Sequence, residues 1–282
     1  MKKNEIDEFI EARFKNIERY FHKAIVNFET EHILKFRAEI KKLKIFLHLI
    51  NMESEDGLSC RITKRMKTLY GYFGIIYNLQ MQLKKIKEYM QKSVHNEPAC
   101  YVNKLEKELK YWEKLSHDFI DASYNFINDK QEIMAILPDK LAKRSIKKFI
   151  HYTLYELNTM AGRTDDEALD NVRKSMEDIY YNHEFITPFI DEQQSNLFNK
   201  TAVEECMKLL DGFRDKCVAL ALLETFCTSG PDEHEKQLLK ELENEWLNEK
   251  KDLKTRLIAV LDSMNIKANN LKEFAVADIA DE

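Results

Sequence analysis

The sequence predicts an all-α protein, and three observations support that fold class. Only 6 glycines and 4 prolines occur among 282 residues, about a third of their average usage. Apolar residues recur at helical spacing along almost the whole chain, and 44% hydrophobic with 33% charged residues is typical of amphipathic helices. Sandwiches, barrels and doubly wound sheets need more turns than so few breaker residues supply, so these folds are excluded.

The helical periodicity and the breakers together predict an elongated antiparallel bundle of eight long helices. The predicted helices cover residues 4–28, 31–50, 62–92, 98–137, 139–160, 166–186, 193–226 and 232–264. Pro98 suits a first helical turn, whereas Pro138 and Gly162 each end a helix. Asp165 or Asp166 caps the helix that follows Gly162.

Two segment pairs predict an internal duplication. Residues 33–44 align with 169–180 at an offset of 136, with matching apolar positions and one matching arginine. Residues 73–78 align with 210–215 at an offset of 137. Two separate segments with nearly the same offset indicate a repeated multi-helix unit. We therefore predict one domain over residues 1–282, with a first half of about 1–137, a second half of about 138–264 and an acidic tail at 265–282.

The charge is divided unevenly between the two halves. The formal net charge is −5, but residues 1–150 hold 29 Lys+Arg against 21 Asp+Glu, and residues 151–282 hold 15 against 28. The first part is therefore positive by 8 charges and the second negative by 13. This distribution favours an anion-attracting surface in the first half.

The cysteines and the N-terminal sequence predict a reducing, cytoplasmic location. The 5 cysteines are odd in number and form no C-x-x-C pair, so neither a disulfide framework nor a zinc site is expected. The N-terminal residues lack the apolar core of a signal peptide, and no apolar run is long enough for a membrane span.

A strip of basic residues lies beside the apolar stripe of the second predicted helix. Arg37, Lys41 and Lys44 fall within about 60° of arc, and Lys42 flanks them. Like charges on one strip repel one another and favour a polyanionic ligand. A solvated helix face is the alternative interpretation.

The third predicted helix repeats this pattern. Lys64 and Lys67 share a strip with Gly71 and Gly74, and Arg65 lies nearby. Each interior glycine destabilises a helix by about 1 kcal/mol relative to alanine, so we expect a favourable interaction at these positions that offsets the cost. Close helix packing or space for a ligand beside the backbone would supply it.

These motifs resemble those of the conserved-histidine α-helical domain (CHAD) family. The first signature is Leu34 to Lys44, followed by Phe73 to Asn78; the second is Asp170 to Tyr180, followed by Leu210 to Asp215. The resemblance covers both halves, from about residue 5 to about 262. It implies two pseudo-symmetric helical bundles around a basic cavity that binds inorganic polyphosphate, without catalytic activity.

This chain departs from the family pattern at its most characteristic positions. The histidine that names the family is replaced by Leu34 and Asp170. The second half has Glu177, Asp178 and Tyr180 where the resemblance implies basic residues. We therefore expect an asymmetric polyphosphate site, with most of its cations in the first half and a lower affinity than a symmetric site would have.

The basic residues and this resemblance thus predict a non-enzymatic domain that binds inorganic polyphosphate or a similar phosphate polyanion, and the resemblance further implies association with polyphosphate granules. The candidate binding residues are Arg37, Lys41, Lys42, Lys44, Lys64, Arg65, Lys67, Arg173 and Arg214. No catalytic, cofactor or metal motif is found, so no cofactor is expected. One alternative is a protein-interaction scaffold whose acidic second half docks a basic partner. RNA binding by the same basic face is another, less favoured because no stacking motif occurs.

Overall fold

The regular structure is helical, as the composition predicts. The computed structural model describes residues 1–53, 59–91, 98–120, 124–160, 162–190, 198–226 and 233–264. Within these ranges the helices are α1 (Lys3–Asn27), α2 (Thr30–Asn51), α3 (Lys64–Met90), α4 (Ala99–Phe119), α5 (Ile127–Ala135), α6 (Lys143–Met160), α7 (Asp166–Ile186), α8 (Lys200–Phe226) and α9 (Glu233–Ser263). A 3-10 turn, Thr187–Phe189, follows α7. The predicted acidic tail lies outside the described residues.

The single helix predicted over residues 98–137 is wrong. Helix α4 ends at Phe119, Ile120 has an extended backbone, and α5 begins only at Ile127. Between them Tyr124 and Phe126 are almost fully buried, and both ring centroids lie 5.2 Å from that of Phe21 on α1. Burial of two aromatic side chains in the core of the first half compensates for the interruption of the helix.

The remaining boundaries differ from the sequence prediction mainly at helix starts. Helix α6 begins at Lys143 rather than at residue 139, and α8 begins at Lys200, while residues 193–197 lie outside the described ranges. The carboxylate of Asp165 accepts a hydrogen bond of 2.9 Å from the amide of Ala168, so Asp165 is the predicted cap of α7. Thr63 caps α3 in the same way through the amide of Met66.

The helices form two bundles of four that share one architecture. In the first, α1 to α4 pack in sequence order, and α5 packs on α1. In the second, α6 to α9 pack in the same order. The bundles are joined where α2 packs against α7 and α3 against α8. Each joining pair consists of the corresponding helices of the two bundles.

Contacts across this junction connect residues that the repeat makes equivalent. The Lys41 ammonium contacts the Glu177 carboxylate, 136 residues away in sequence. The Asn182 side chain donates to the carbonyl of Ile45, and the Gln82 side chain donates to the carbonyl of Ala219, each pair separated by 137 residues. Lys41 with Glu177 and Gln82 with Ala219 are equivalent pairs, and Ile45 with Asn182 is one residue out of register. Contacts between equivalent residues are what a pseudo-two-fold axis through the junction produces. The fold is therefore a pair of pseudo-symmetric helical bundles, as the internal repeat predicts.

Apolar packing is continuous within each bundle and across the junction. Phe73 on α3 is fully buried, and its ring contacts those of Phe21, Phe28 and Phe36. A second cluster joins the far ends of the bundles. It contains Leu79, Ile86, Tyr101, Val102, Leu105, Ala219, Leu223, Leu239, Leu242 and Trp246.

The Phe73→Ala variant is expected to lose about 3–5 kcal/mol of unfolding free energy, because it opens a cavity at the centre of this aromatic cluster. Urea unfolding followed by circular dichroism measures the change. Phe73→Leu, which keeps most of the buried volume, is the control and should lose clearly less. A loss below about 1 kcal/mol for Phe73→Ala would contradict the assigned packing.

Candidate anion-binding pocket between the two bundles

Two of the predicted basic residues form ion pairs with the same carboxylate at the junction. Lys41 on α2 donates to Glu177 on α7 at 2.7 Å, and Arg173 forms an ion pair with the same carboxylate. Arg173 also donates to Asp170 at 2.8 Å. Burial opposes the charge of Arg173, yet the carboxylates of Glu177 and Asp170 raise its pKa. Lys41 and Arg173 are thus close together, as predicted, but already paired with internal anions.

Arg37 is held against α3. Its guanidinium donates to the carbonyl of Tyr70 at 2.8 Å and lies 4.3 Å from the centroid of the Tyr70 ring. A Cβ atom at Gly74 would lie 1.8 Å from a terminal nitrogen of Arg37. Gly74 therefore gives the guanidinium room beside the backbone, which is the close approach expected at this position. Burial lowers the Arg37 pKa, and the nearby Arg214 lowers it further.

Four other predicted residues lie away from this junction or have other partners. Lys42 forms an ion pair with Glu39 at 2.7 Å, on the side of α2 that faces α1. The Arg65 guanidinium lies 3.7 Å from the ring centroid of Tyr124. Lys64 is exposed at the start of α3, and Arg214 is half-buried on α8 near Arg37. The sequence therefore predicted a broader basic surface than the fold brings together.

A pocket of about 660 Å³ lies beside the junction. Helix α2, the segment 59–62 with the start of α3, and helices α6 and α7 form its walls. Of the nine predicted residues, Lys41, Lys44 and Lys67 line it. Arg61 and Lys174 add two cations that the sequence prediction did not include.

Lys44 and Lys67 are exposed cations of this pocket whose side chains have no polar partner among the described residues. Neither ammonium group has an ion-pair or hydrogen-bond partner within the ranges that the structure describes, although Lys44 lies near Asp178. By contrast, Arg61 donates to Ser59, and Lys174 pairs with Asp170 at 3.0 Å. Lys44 and Lys67 are therefore the cations most open to an incoming anion.

The opposite wall of the pocket is acidic and aromatic. The Asp178 carboxylate lies 3.1 Å from the Nδ1 atom of His48, and burial raises the Asp178 pKa despite this contact. The Tyr152 ring meets the His48 ring edge to face, with centroids 5.7 Å apart. Glu156 follows one turn later on α6. No sequence signal pointed to Tyr152 or Glu156, because they become neighbours of α2 only through the packing of the two bundles.

Among the described residues, no group of three or more His, Cys, Asp or Glu side chains is placed to hold a metal ion. None of the helices described is both long and apolar enough to cross a membrane.

Comparisons with known proteins identify the fold. No protein-family model matches the chain, and no curated protein matches its sequence. The CHAD domain from the plant Ricinus communis is similar in structure, with a TM-score of 0.71 and 12% identity over 94% of this chain and 92% of that one. PptA from Streptomyces chartreusis is also similar, with a TM-score of 0.66 and 12% identity over 93% of this chain and 99% of that one. The chain therefore has a CHAD-like fold, as the sequence motifs suggested.

The contact between Arg37 and Gly74 gives a double-variant test. In an Arg37→Ala background, Gly74→Ala should stabilise the protein by about 1 kcal/mol, the intrinsic helix preference of alanine. In the wild-type background the same change displaces the guanidinium, so this gain should disappear or reverse. Thermal or urea unfolding of the four proteins measures the coupling. Equal effects of Gly74→Ala in both backgrounds would contradict the contact.

Proposed function

We propose that this chain is a non-enzymatic domain that binds inorganic polyphosphate, or a similar phosphate polyanion, at the pocket between the bundles. The observation that carries the proposal is the position of Lys44 and Lys67, two exposed cations on one concave surface whose ammonium groups have no polar partner among the described residues. Arg61 lies beside them. The positive first half and the resemblance of its motifs to the CHAD family support the same ligand class.

Lysine is suited to a ligand of this kind. A lysine ammonium acts as a point charge that tolerates many phosphate positions, whereas arginine favours fixed bidentate contacts. A flexible chain of phosphates can therefore engage the pocket in several registers. Each contacted phosphate releases condensed counter-ions, so affinity should fall steeply as salt rises.

Carboxylates of the protein itself are expected to weaken polyphosphate binding at this pocket. Glu177 neutralises Lys41 and Arg173, and Asp178 places a further negative charge on the wall that faces Lys44. A polyanion that reached Lys41 would have to displace Glu177 or approach it closely. We therefore expect weaker binding than a pocket lined by cations alone would give, with most of the affinity from Lys44 and Lys67.

The scaffold alternative is less favoured, because several acidic residues of the second half already have internal partners. Glu177 and Asp170 pair with Arg173, Asp166 pairs with Lys250, and Glu235 accepts a hydrogen bond from the backbone amide of Tyr101. These carboxylates contribute to the fold and are less available to a basic protein partner.

Removal of both open lysines tests the assigned site. The Lys44→Ala/Lys67→Ala protein should bind polyphosphate at least about tenfold more weakly. The slope of log affinity against log salt should become shallower by about 2, one unit for each lost phosphate contact. Calorimetric titration at two salt concentrations measures both quantities.

The matched control is Lys147→Ala/Lys148→Ala, which removes two exposed lysines of α6 that do not line the pocket. This variant changes the net charge equally and should keep nearly wild-type affinity. Equal losses in the two double variants would indicate diffuse attraction and contradict a site at the pocket. Competition with RNA in the same titration ranks RNA binding against polyphosphate binding.

Glu177→Gln should increase polyphosphate affinity severalfold, because it frees the charge of Lys41 and removes one of the two carboxylate partners of Arg173 without changing the shape of the side chain. The same change leaves Lys41 without its counter-ion and the buried Arg173 with Asp170 alone, so the thermal midpoint should fall and polyphosphate should partly restore it. The control is Glu184→Gln, an exposed carboxylate of α7. A folded Glu177→Gln protein with unchanged affinity would contradict the role of Glu177 as an internal counter-ion.

A further inference from the structure

The lining of the pocket contains features that an inorganic polyphosphate does not use. Ile40 and Ile45, which are 1% and 6% exposed, contribute apolar surface, and Ile62 and Tyr70 extend it. The Tyr152 ring stands at one wall and remains 44% exposed. A chain of phosphates is charged along its whole length and gains nothing from aliphatic or aromatic contacts.

The polar groups near Tyr152 are also unsuited to phosphate. Glu156 and Asp178, which both lie near Tyr152, are carboxylates that repel an anion. Glu156 has no ion-pair partner in the part of the chain that the structure describes. A carboxylate next to an exposed aromatic ring is suited to a flat ligand group that carries N–H donors.

The pocket is therefore divided into two chemically different regions. The α2–α3 side presents Lys44, Lys67 and Arg61, which attract phosphate, and the α6 side presents Tyr152 and Glu156. A volume of about 660 Å³ lies within the usual range for sites that enclose a small organic ligand. The matching ligand has a short anionic chain at one end and an aromatic, hydrogen-bond-donating group at the other.

We propose that this pocket binds a nucleoside polyphosphate with an amino-bearing base. Its phosphates contact Lys44 and Lys67, its base stacks on Tyr152, and an exocyclic amine of the base donates to Glu156. This inference rests on the proposed anion site and adds the organic part of the ligand. Stacking of one base on an aromatic side chain is strong enough to exceed a tenfold difference in affinity.

Titration of ATP against inorganic tripolyphosphate at constant ionic strength tests this inference, because the two share a triphosphate and differ in the nucleoside. Charge alone would favour tripolyphosphate, which carries more negative charge. We expect the wild-type protein to bind ATP about tenfold more tightly than tripolyphosphate. Tyr152→Ala should remove that difference and leave tripolyphosphate affinity unchanged, and Glu156→Gln should weaken ATP binding without weakening tripolyphosphate binding.

The control is Tyr155→Ala, which removes another exposed tyrosine of α6 that does not line the pocket. It should keep the preference for ATP. Equal wild-type affinities for ATP and tripolyphosphate, or a preference for ATP that persists in Tyr152→Ala, would overturn the inference. Failure of the anion site itself is distinguishable, because Lys44→Ala/Lys67→Ala would then leave the binding of both compounds unchanged.

Discussion

The ion pair between Lys41 and Glu177 is the contact on which the charge distribution at the junction depends. These residues occupy equivalent positions of the repeat and lie 2.7 Å apart where α2 packs against α7. Two identical bundles related by a two-fold axis would place like charges opposite each other at this point, and like charges at that distance repel strongly when half-buried. A lysine in the first half and a glutamate in the second avoid this repulsion at their point of contact.

The cations at the centre of the junction already have partners within the protein, so the unpaired lysines lie to one side of it. Arg173 and Lys41 share Glu177, and Arg37 is held by the carbonyl and ring of Tyr70. Because Tyr70 also lines the pocket, Arg37 acts on the proposed site indirectly, by positioning one wall. Lys44 and Lys67 remain exposed beside the axis, where the packing of α6 and α7 against α2 leaves a concave surface.

The fold was largely predictable from sequence, and the site only in part. Local periodicity predicted most helices, and the offset of 136 to 137 residues matches the observed contacts across the junction. The break between α4 and α5 could not be predicted, because Tyr124 and Phe126 are drawn into a core formed by residues distant in sequence. Helical spacing placed Lys41, Lys42 and Lys44 on related faces of α2, but the pairing of Lys41 with Glu177 on α7 depends on tertiary packing. The presence of Tyr152 and Glu156 in the pocket lining also depends on tertiary packing, since nothing in the sequence of α6 alone indicates that this helix faces α2.

We propose that the open lysines beside the junction, and not the paired cations on it, receive the anion. A crystal structure of the complex with a short inorganic polyphosphate distinguishes these two possibilities. Phosphate oxygens are expected within hydrogen-bonding distance of the Lys44 and Lys67 ammonium groups, with the Lys41–Glu177 pair intact. Phosphates seated against Lys41 and Arg173 with Glu177 displaced, or bound along the outer face of α6, would contradict this proposal.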